Sequence, residues 1–303
     1  MKITGTFLDE ISHDIPSSNW DVEDWRRDFQ EMQRDGVDTV ILIRAGYKER
    51  CAFDSRVLGA HRRMRPCYVD LVDMFLQLAQ DHKMSFYFGT YDSGDYWLNN
   101  QPAKEIALNI DFTSEFLDRY GHRKAFAGWY ISNEIYKFDE AAVKVYEKLA
   151  THLRGLKELP ILISPYFSAK RIHGDQRDLA EHEQQWRAIL ARIAGMVDIV
   201  AFQDGLCELA DLADYTNVNA RLAGEFKMTC WANVESFERR MAMNFLAISY
   251  QNLRYKMDVA RAAGASKLIT FEYSHFMSPN SIYANARNLS ARYRQWAAGA
   301  ESL

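Results

Sequence analysis

Eight times along this chain, a short apolar run of strand length gives way to a longer stretch with helical periodicity. The runs lie at 3–8, 37–43, 84–88, 125–131, 160–164, 197–202, 228–234 and 267–271. The run at 37–43, carried by Val37 and Val40 to Ile43, reads as apolar on both faces rather than alternating, which suits a parallel strand covered on both sides. Between them, Trp25, Phe29 and Met32 recur at i, i+4 and i+7 before Gly36, and Leu71, Phe75 and Leu78 share a face. Pro102 is placed to open a helix and Gly121 to close it. Further helical patterns run from about Asp139 with Val143, Tyr146, Leu149 and Leu153, and through Trp186, Ile189, Leu190 and Ile193. The last three are expected at about 217–226, 247–263 and 281–298. Eight strand-helix units at intervals of roughly 30 to 40 residues predict an α/β fold, a single (β/α)8 TIM barrel spanning residues 1–303. A doubly wound sheet is the competing fold. It would carry a glycine-rich phosphate turn after the first strand, and Asp9-Glu10-Ile11-Ser12 is not one.

In such a barrel, chemistry is placed at the C-terminal ends of the strands. Read in order, those ends offer Asp9 and Glu10, Arg44, Tyr91 and Asp92, Asn133 and Glu134, Tyr166, Gln203 and Asp204, Asn233 and Glu235, and Glu272 with His275. Acidic, amide and aromatic groups dominate. Two carboxyl groups facing each other across an anomeric carbon are what glycoside hydrolysis needs: one donates a proton, and the other attacks carbon or activates water. Aromatic rings can stack on sugar faces, while amides and carboxylates bind hydroxyls. Trp231, Asn233 and Glu235 share one strand parity, which places Trp231 on the mouth-facing side. Asp204 is expected to contact substrate or orient a neighbour; a turn-forming Asp before Gly205 and a buried ion pair are its alternatives. His275 is either a site group or a loop residue.

Other chemistries lack their residues. The eight histidines form no HExxH and no HxH after the first strand, so no metal and no cofactor is expected. There is no GxSxG elbow, and no lysine lies inside a strand run except Lys267 at the start of the eighth. A net charge of −4 argues against nucleic acid or an anionic membrane as partner, and no 18-residue apolar run is present. The expected partner is an oligo- or polysaccharide. Four cysteines without CxxC spacing read as free or buried thiols. The N-terminus lacks the apolar core of a signal peptide, so the expected location is cytoplasmic, or exported with the signal removed.

The strand-four pair Asn133-Glu134, with Glu235 ending strand seven, resembles the clan-A retaining glycoside hydrolases. The chain is more closely similar to a poorly characterised family of glycosidase-like barrels often described as Tat-pathway signal proteins. That similarity rests on Gly5-Thr6-Phe7, Gly128-Trp129-Tyr130 with Glu134, Phe202-Gln203-Asp204-Gly205 and Trp231-Ala232-Asn233-Val234-Glu235. The resemblance implies Glu134 as acid/base, Asn133 as a contact to the sugar 2-hydroxyl and Glu235 as nucleophile. Glu272 is an additional carboxylate that the clan pattern does not require, and an inverting enzyme could use it in place of Glu235. A non-catalytic carbohydrate-binding barrel is the other class of function compatible with these residues. Between Lys48 and Arg65 six basic residues face two acidic ones, and Lys170, Arg171 and His173 follow strand five. These segments are either solvated faces or a basic rim for an anionic glycan.

Overall fold

The computed structural model describes residues 1–12, 15, 18–65, 67–167, 178–238 and 246–300. Eight parallel strands close a barrel: β1 (Ile3–Leu8), β2 (Thr39–Leu42), β3 (Ser85–Gly89), β4 (Phe126–Ile131), β5 (Ile161–Ile163), β6 (Ile199–Gln203), β7 (Thr229–Asn233) and β8 (Lys267–Thr270). Each pairs with its predecessor, and β8 returns to β1; Thr6 is aligned with Val40 on one side and Thr270 on the other. Closure removes the edge strands of the barrel sheet.

The main helices are α1 (Val22–Arg34), α3 (Leu71–Asp81), α4 (Pro102–Tyr120), α5 (Glu140–Leu156), α6 (Leu179–Ile193), α7 (Leu212–Glu225), α8 (Tyr250–Ala262) and α10 (Ala284–Ala300), with short α2 (Arg56–His61) and α9 (Tyr273–Phe276) between them. Their starts are chemically marked. Side chains of Asp21, Asp70, Asp139, Asp178 and Ser249 accept hydrogen bonds from first-turn amides, each worth about 1 kcal/mol. Helix α7 begins five residues earlier than the apolar pattern alone indicated, because its first turn carries only Leu212 as a buried apolar marker before Tyr215. Two short pairings over the mouth were not apparent in the sequence: Gly46–Tyr47 with Arg50–Cys51 and Tyr91–Asp92, and Phe237–Glu238 with Leu246–Ala247. Two-residue strands are below the length at which periodicity is readable.

Strand alternation sorts the core into two shells. Phe7, Ile41, Tyr87, Tyr130, Leu162, Ile199, Ala201 and Ile269 fill the barrel interior. Val40, Phe88, Trp129, Ile131, Val200 and Leu268 pack outward against the helices. Gly128 is the interior position where β4 yields to Tyr87: a Cβ there would lie 2.1 Å from the Tyr87 ring. Trp231 corrects the parity reading. It points into the barrel, 6.0 Å from Tyr87, and lies beneath the Lys267 ammonium. Lys267 bonds Thr39 and Asp38, at the N-terminal end of the sheet. Parity chose the correct face, but the strand's stagger put Trp231 at the barrel floor rather than at its mouth.

All four cysteines are free. Among the described residues no helix is long and apolar enough to cross a membrane.

Candidate active site

A cleft of about 630 Å³ opens at the C-terminal mouth of the barrel. Six of the residues anticipated from strand ends line it: Arg44, Glu134, Tyr166, Gln203, Asn233 and Glu235. Its apolar wall is Phe7, Ile43, Leu206, Phe237 and Phe271. Polar groups converging on a half-apolar cleft are the usual build of a small-molecule site.

Glu134 follows β4 and remains partly exposed, at 18% of its side chain. Tyr130, one turn of the chain below it, donates its hydroxyl to Oε1 at 3.0 Å. The Arg44 guanidinium approaches Oε2 at 3.8 Å, with its other flank 3.5 Å from Asp92. Burial holds the Tyr130 phenol well above its ordinary pKa, and the Glu134 charge adds to this, so Tyr130 stays a donor. Asp92 in turn accepts from the Gly94 amide at 2.9 Å and the Trp97 indole at 3.0 Å. A buried arginine is thereby held between two carboxylates, the arrangement that makes burying its charge tolerable.

Asn133 turns away from the cleft. Its side-chain amide nitrogen donates to Glu105 at 3.3 Å, and its backbone carbonyl accepts from the Tyr146 hydroxyl at 2.6 Å. Glu105, on α4, also accepts from the Ser93 amide at 3.1 Å. Burial drives its carboxyl up to about 7, with Asp92 repulsion adding to the effect and the Ser93 and Asn133 bonds opposing it.

Glu235 is 2% exposed, and its position is built from three elements. Its backbone amide donates to Asp204 Oδ1 at 2.9 Å. The ammonium of Lys256, on α8, donates to the same oxygen at 2.8 Å and to the Glu235 carbonyl at 3.2 Å. Asp204 is therefore both the buried ion pair and the orienting group that its sequence context left open. Desolvation raises its pKa, while Lys256 opposes the rise. Directly beside the Glu235 carboxylate is Gly205, where a Cβ would fall 1.1 Å from Oε2. Lys256 was not anticipated. Its signal was a lysine on the buried stripe of Leu253, Met257 and Ala260.

The remaining anticipated residues are placed elsewhere. Glu272 is 1% exposed, and its two carboxylate oxygens accept the Ser274 and His275 amides at 2.8 and 2.7 Å, capping α9. The His275 imidazole lies 2.8 Å from that same carboxylate. Asp9 accepts from the Ser12 amide at 2.9 Å in a turn, and Tyr91 donates its hydroxyl to the Lys48 carbonyl at 2.8 Å. None of these four lines the cleft. The amides that do are braced: Gln203 donates to the Ser164 carbonyl at 2.5 Å, and Asn233 links the Ser164 hydroxyl to the Phe271 amide. In the basic loop, Arg56, Arg62 and Arg65 face Glu115, Asp95 and Glu49. Lys170, Arg171 and His173 lie outside the described residues. No group of three or more His, Cys, Asp and Glu among the described residues is placed to hold a metal ion.

The family described as a domain of unknown function, DUF4434, matches residues 3–283. The chain belongs to the DUF4434 family. This DUF4434 barrel is 43% identical to a candidate alpha-L-fucosidase from Bacteroides thetaiotaomicron, with a TM-score of 0.94 over 97% of this chain and 95% of that one. It also superposes on the endo-1,4-beta-D-mannanase of Thermotoga petrophila, with a TM-score of 0.64 at 9% identity, covering 97% and 99% of the two chains. A glycoside hydrolase family 5 protein from Bacteroides vulgatus gives a TM-score of 0.57 at 12% identity, covering 84% and 56%. The last two show that the DUF4434 fold is the (β/α)8 barrel also used by glycoside hydrolases. No curated protein matches the chain.

Proposed function

We propose that this DUF4434 barrel is a retaining glycoside hydrolase with Glu134 as acid/base and Glu235 as nucleophile. One observation carries the reading: the carboxyl groups of Glu134 and Glu235, from β4 and β7, line the same cleft at the barrel mouth. The candidate fucosidase name of the 43% identical relative is in keeping with it.

In the first step Glu134 gives its proton to the glycosidic oxygen as the bond from that oxygen to the anomeric carbon breaks, its electron pair going to oxygen. A Glu235 carboxylate oxygen forms a bond to the same carbon, giving a glycosyl ester. In the second step the Glu134 carboxylate takes a proton from water, the water oxygen bonds to the anomeric carbon, and the Glu235 ester bond breaks. Gln203 and Asn233 are the hydroxyl-binding groups. Arg44 and Tyr130 hold Glu134 in place through the cycle. A carbohydrate is the substrate class. An anionic sugar is its narrower form, which Arg44 inside the cleft favours and the paired arginines of residues 48–65 do not strengthen.

The test is a panel of 4-nitrophenyl glycosides and oligosaccharides, with fucosides and uronides included, using Glu134→Gln as control. Release of nitrophenol or reducing sugar, lowered about 10²–10⁴-fold by the substitution, is expected. Binding of a glycan with no turnover would instead favour a carbohydrate-binding barrel.

A further inference from the structure

A second cleft, of about 600 Å³, adjoins the first and is lined by Trp97, Leu98, Tyr136, Lys137 and Asp139. Glu134 and Tyr166 belong to both clefts. The walls are built rather than incidental. Tyr136 and Tyr166 stack with centroids 5.1 Å apart and planes at 23°. The Trp97 indole is fixed by its 3.0 Å bond to Asp92, the carboxylate that also faces Arg44. Leu98 stands 63% exposed at the rim, an apolar side chain with no core to fill.

A general acid in glycoside cleavage donates to the oxygen that departs, so the leaving group must sit on the side of that acid away from the nucleophile. Glu235 lines the first cleft and not the second. We infer that the second cleft receives the leaving-group sugar of the substrate, seated against Trp97, Tyr136 and Leu98, and that the enzyme acts on glycosides whose leaving group is itself a sugar ring. Aromatic rings favour such a ligand because the C–H faces of a pyranose are apolar while its hydroxyls reach outward to groups such as Lys137 and Asp139. This inference rests on the hydrolase reading for its direction, first cleft to second.

Two kinds of substrate separate the clefts: a glycosyl fluoride, whose leaving group is a single atom, and a di- or trisaccharide of the same sugar. Trp97→Ala, Tyr136→Ala and Leu98→Asp are each compared with wild type, the last at an exposed position where folding is not at stake. The expected result is a loss of kcat/KM at least fivefold greater on the oligosaccharide than on the fluoride, carried by KM. Wild-type hydrolysis with equal losses on both substrates, or none, overturns the second cleft and leaves the hydrolase reading standing. If wild type hydrolyses neither, the hydrolase reading falls, and calorimetric binding of the same oligosaccharides decides the cleft. Binding that weakens in Trp97→Ala and Leu98→Asp keeps it as a sugar site; binding that is absent or unchanged removes it.

Discussion

The Glu235 carboxylate occupies the space where residue 205 would carry its first side-chain carbon: a Cβ on Gly205 would lie 1.1 Å from Oε2. No real Cβ tolerates that approach, so Gly205→Ala must displace the carboxylate. We expect kcat to fall about 10²-fold, since a misplacement of about 1 Å has that cost, with a circular dichroism spectrum like that of wild type. Full activity in Gly205→Ala would show that the Glu235 position is irrelevant to turnover.

The roles of the carboxylates separate by azide rescue on a substrate with an activated leaving group. Glu235→Ala should yield a glycosyl azide of inverted configuration and Glu134→Ala one of retained configuration. Glu272→Ala should not be rescued; it should instead lose about 0.5–2 kcal/mol of stability as the α9 cap disappears. An inverted azide product from Glu272→Ala, and none from Glu235→Ala, would transfer the nucleophile to the eighth strand.

Arg44 is expected to set the pH response. Its guanidinium lies 3.8 Å from Glu134, so replacing it with Gln removes a charge that helps a carboxylate form there. The general acid then keeps its proton to higher pH. The alkaline limb of kcat/KM should move upward by about one pH unit; a limb that stays in place or moves down contradicts Arg44 as the partner of the acid.

Lys256 and Asp204 make a buried pair behind Glu235. Lys256→Met leaves Asp204 buried without its cation and should cost about 3–5 kcal/mol. Adding Asp204→Asn should recover much of the melting temperature. Activity should stay low in the double variant, because the Glu235 carbonyl has lost the Lys256 donor, which Asp204→Asn does not restore. Recovery of kcat together with stability would reduce the pair to a core feature.

Glu105 carries a carboxyl raised from 4.5 to about 7 in the folded protein. The folded state therefore binds the proton more tightly than the unfolded chain does. The stability this contributes is full below pH 4.5 and is lost as pH rises through 7. Glu105→Gln removes that dependence. Relative to wild type, the variant should gain about 1–3 kcal/mol on going from pH 5 to pH 8 in denaturant titrations; a constant difference would mean that Glu105 does not titrate in this window.

Much of this architecture is legible in the sequence. Runs such as 197–202, apolar from Ile199 to Phe202, signal a strand covered on both faces, and stripes such as Val143, Tyr146, Leu149 and Leu153 signal a helix of the covering layer. Once eight such units are counted, strand ends converge, and that brought Arg44, Glu134, Tyr166, Gln203, Asn233 and Glu235 to one cleft. The failures share a cause. Glu272 stands at a strand end like Glu235, but the chain turns at once into α9, and the helix amides take up its carboxylate. Trp231 has the parity of Glu235, yet it lies four residues, one barrel layer and more, below it.

The local pattern of apolar, polar and turn residues was sufficient for the eight barrel strands, the main helices and their order, because those follow from periods of two and 3.6 within a few residues of chain. What each strand-end side chain finally faces was decided by partners far away in sequence: Lys256 reaches Asp204 across 52 residues, and Asn133 reaches Glu105 across 28. Strand stagger and helix docking set those encounters. A one-dimensional pattern specifies which face a residue presents, whereas the depth it occupies and the charge it meets exist only after the barrel closes.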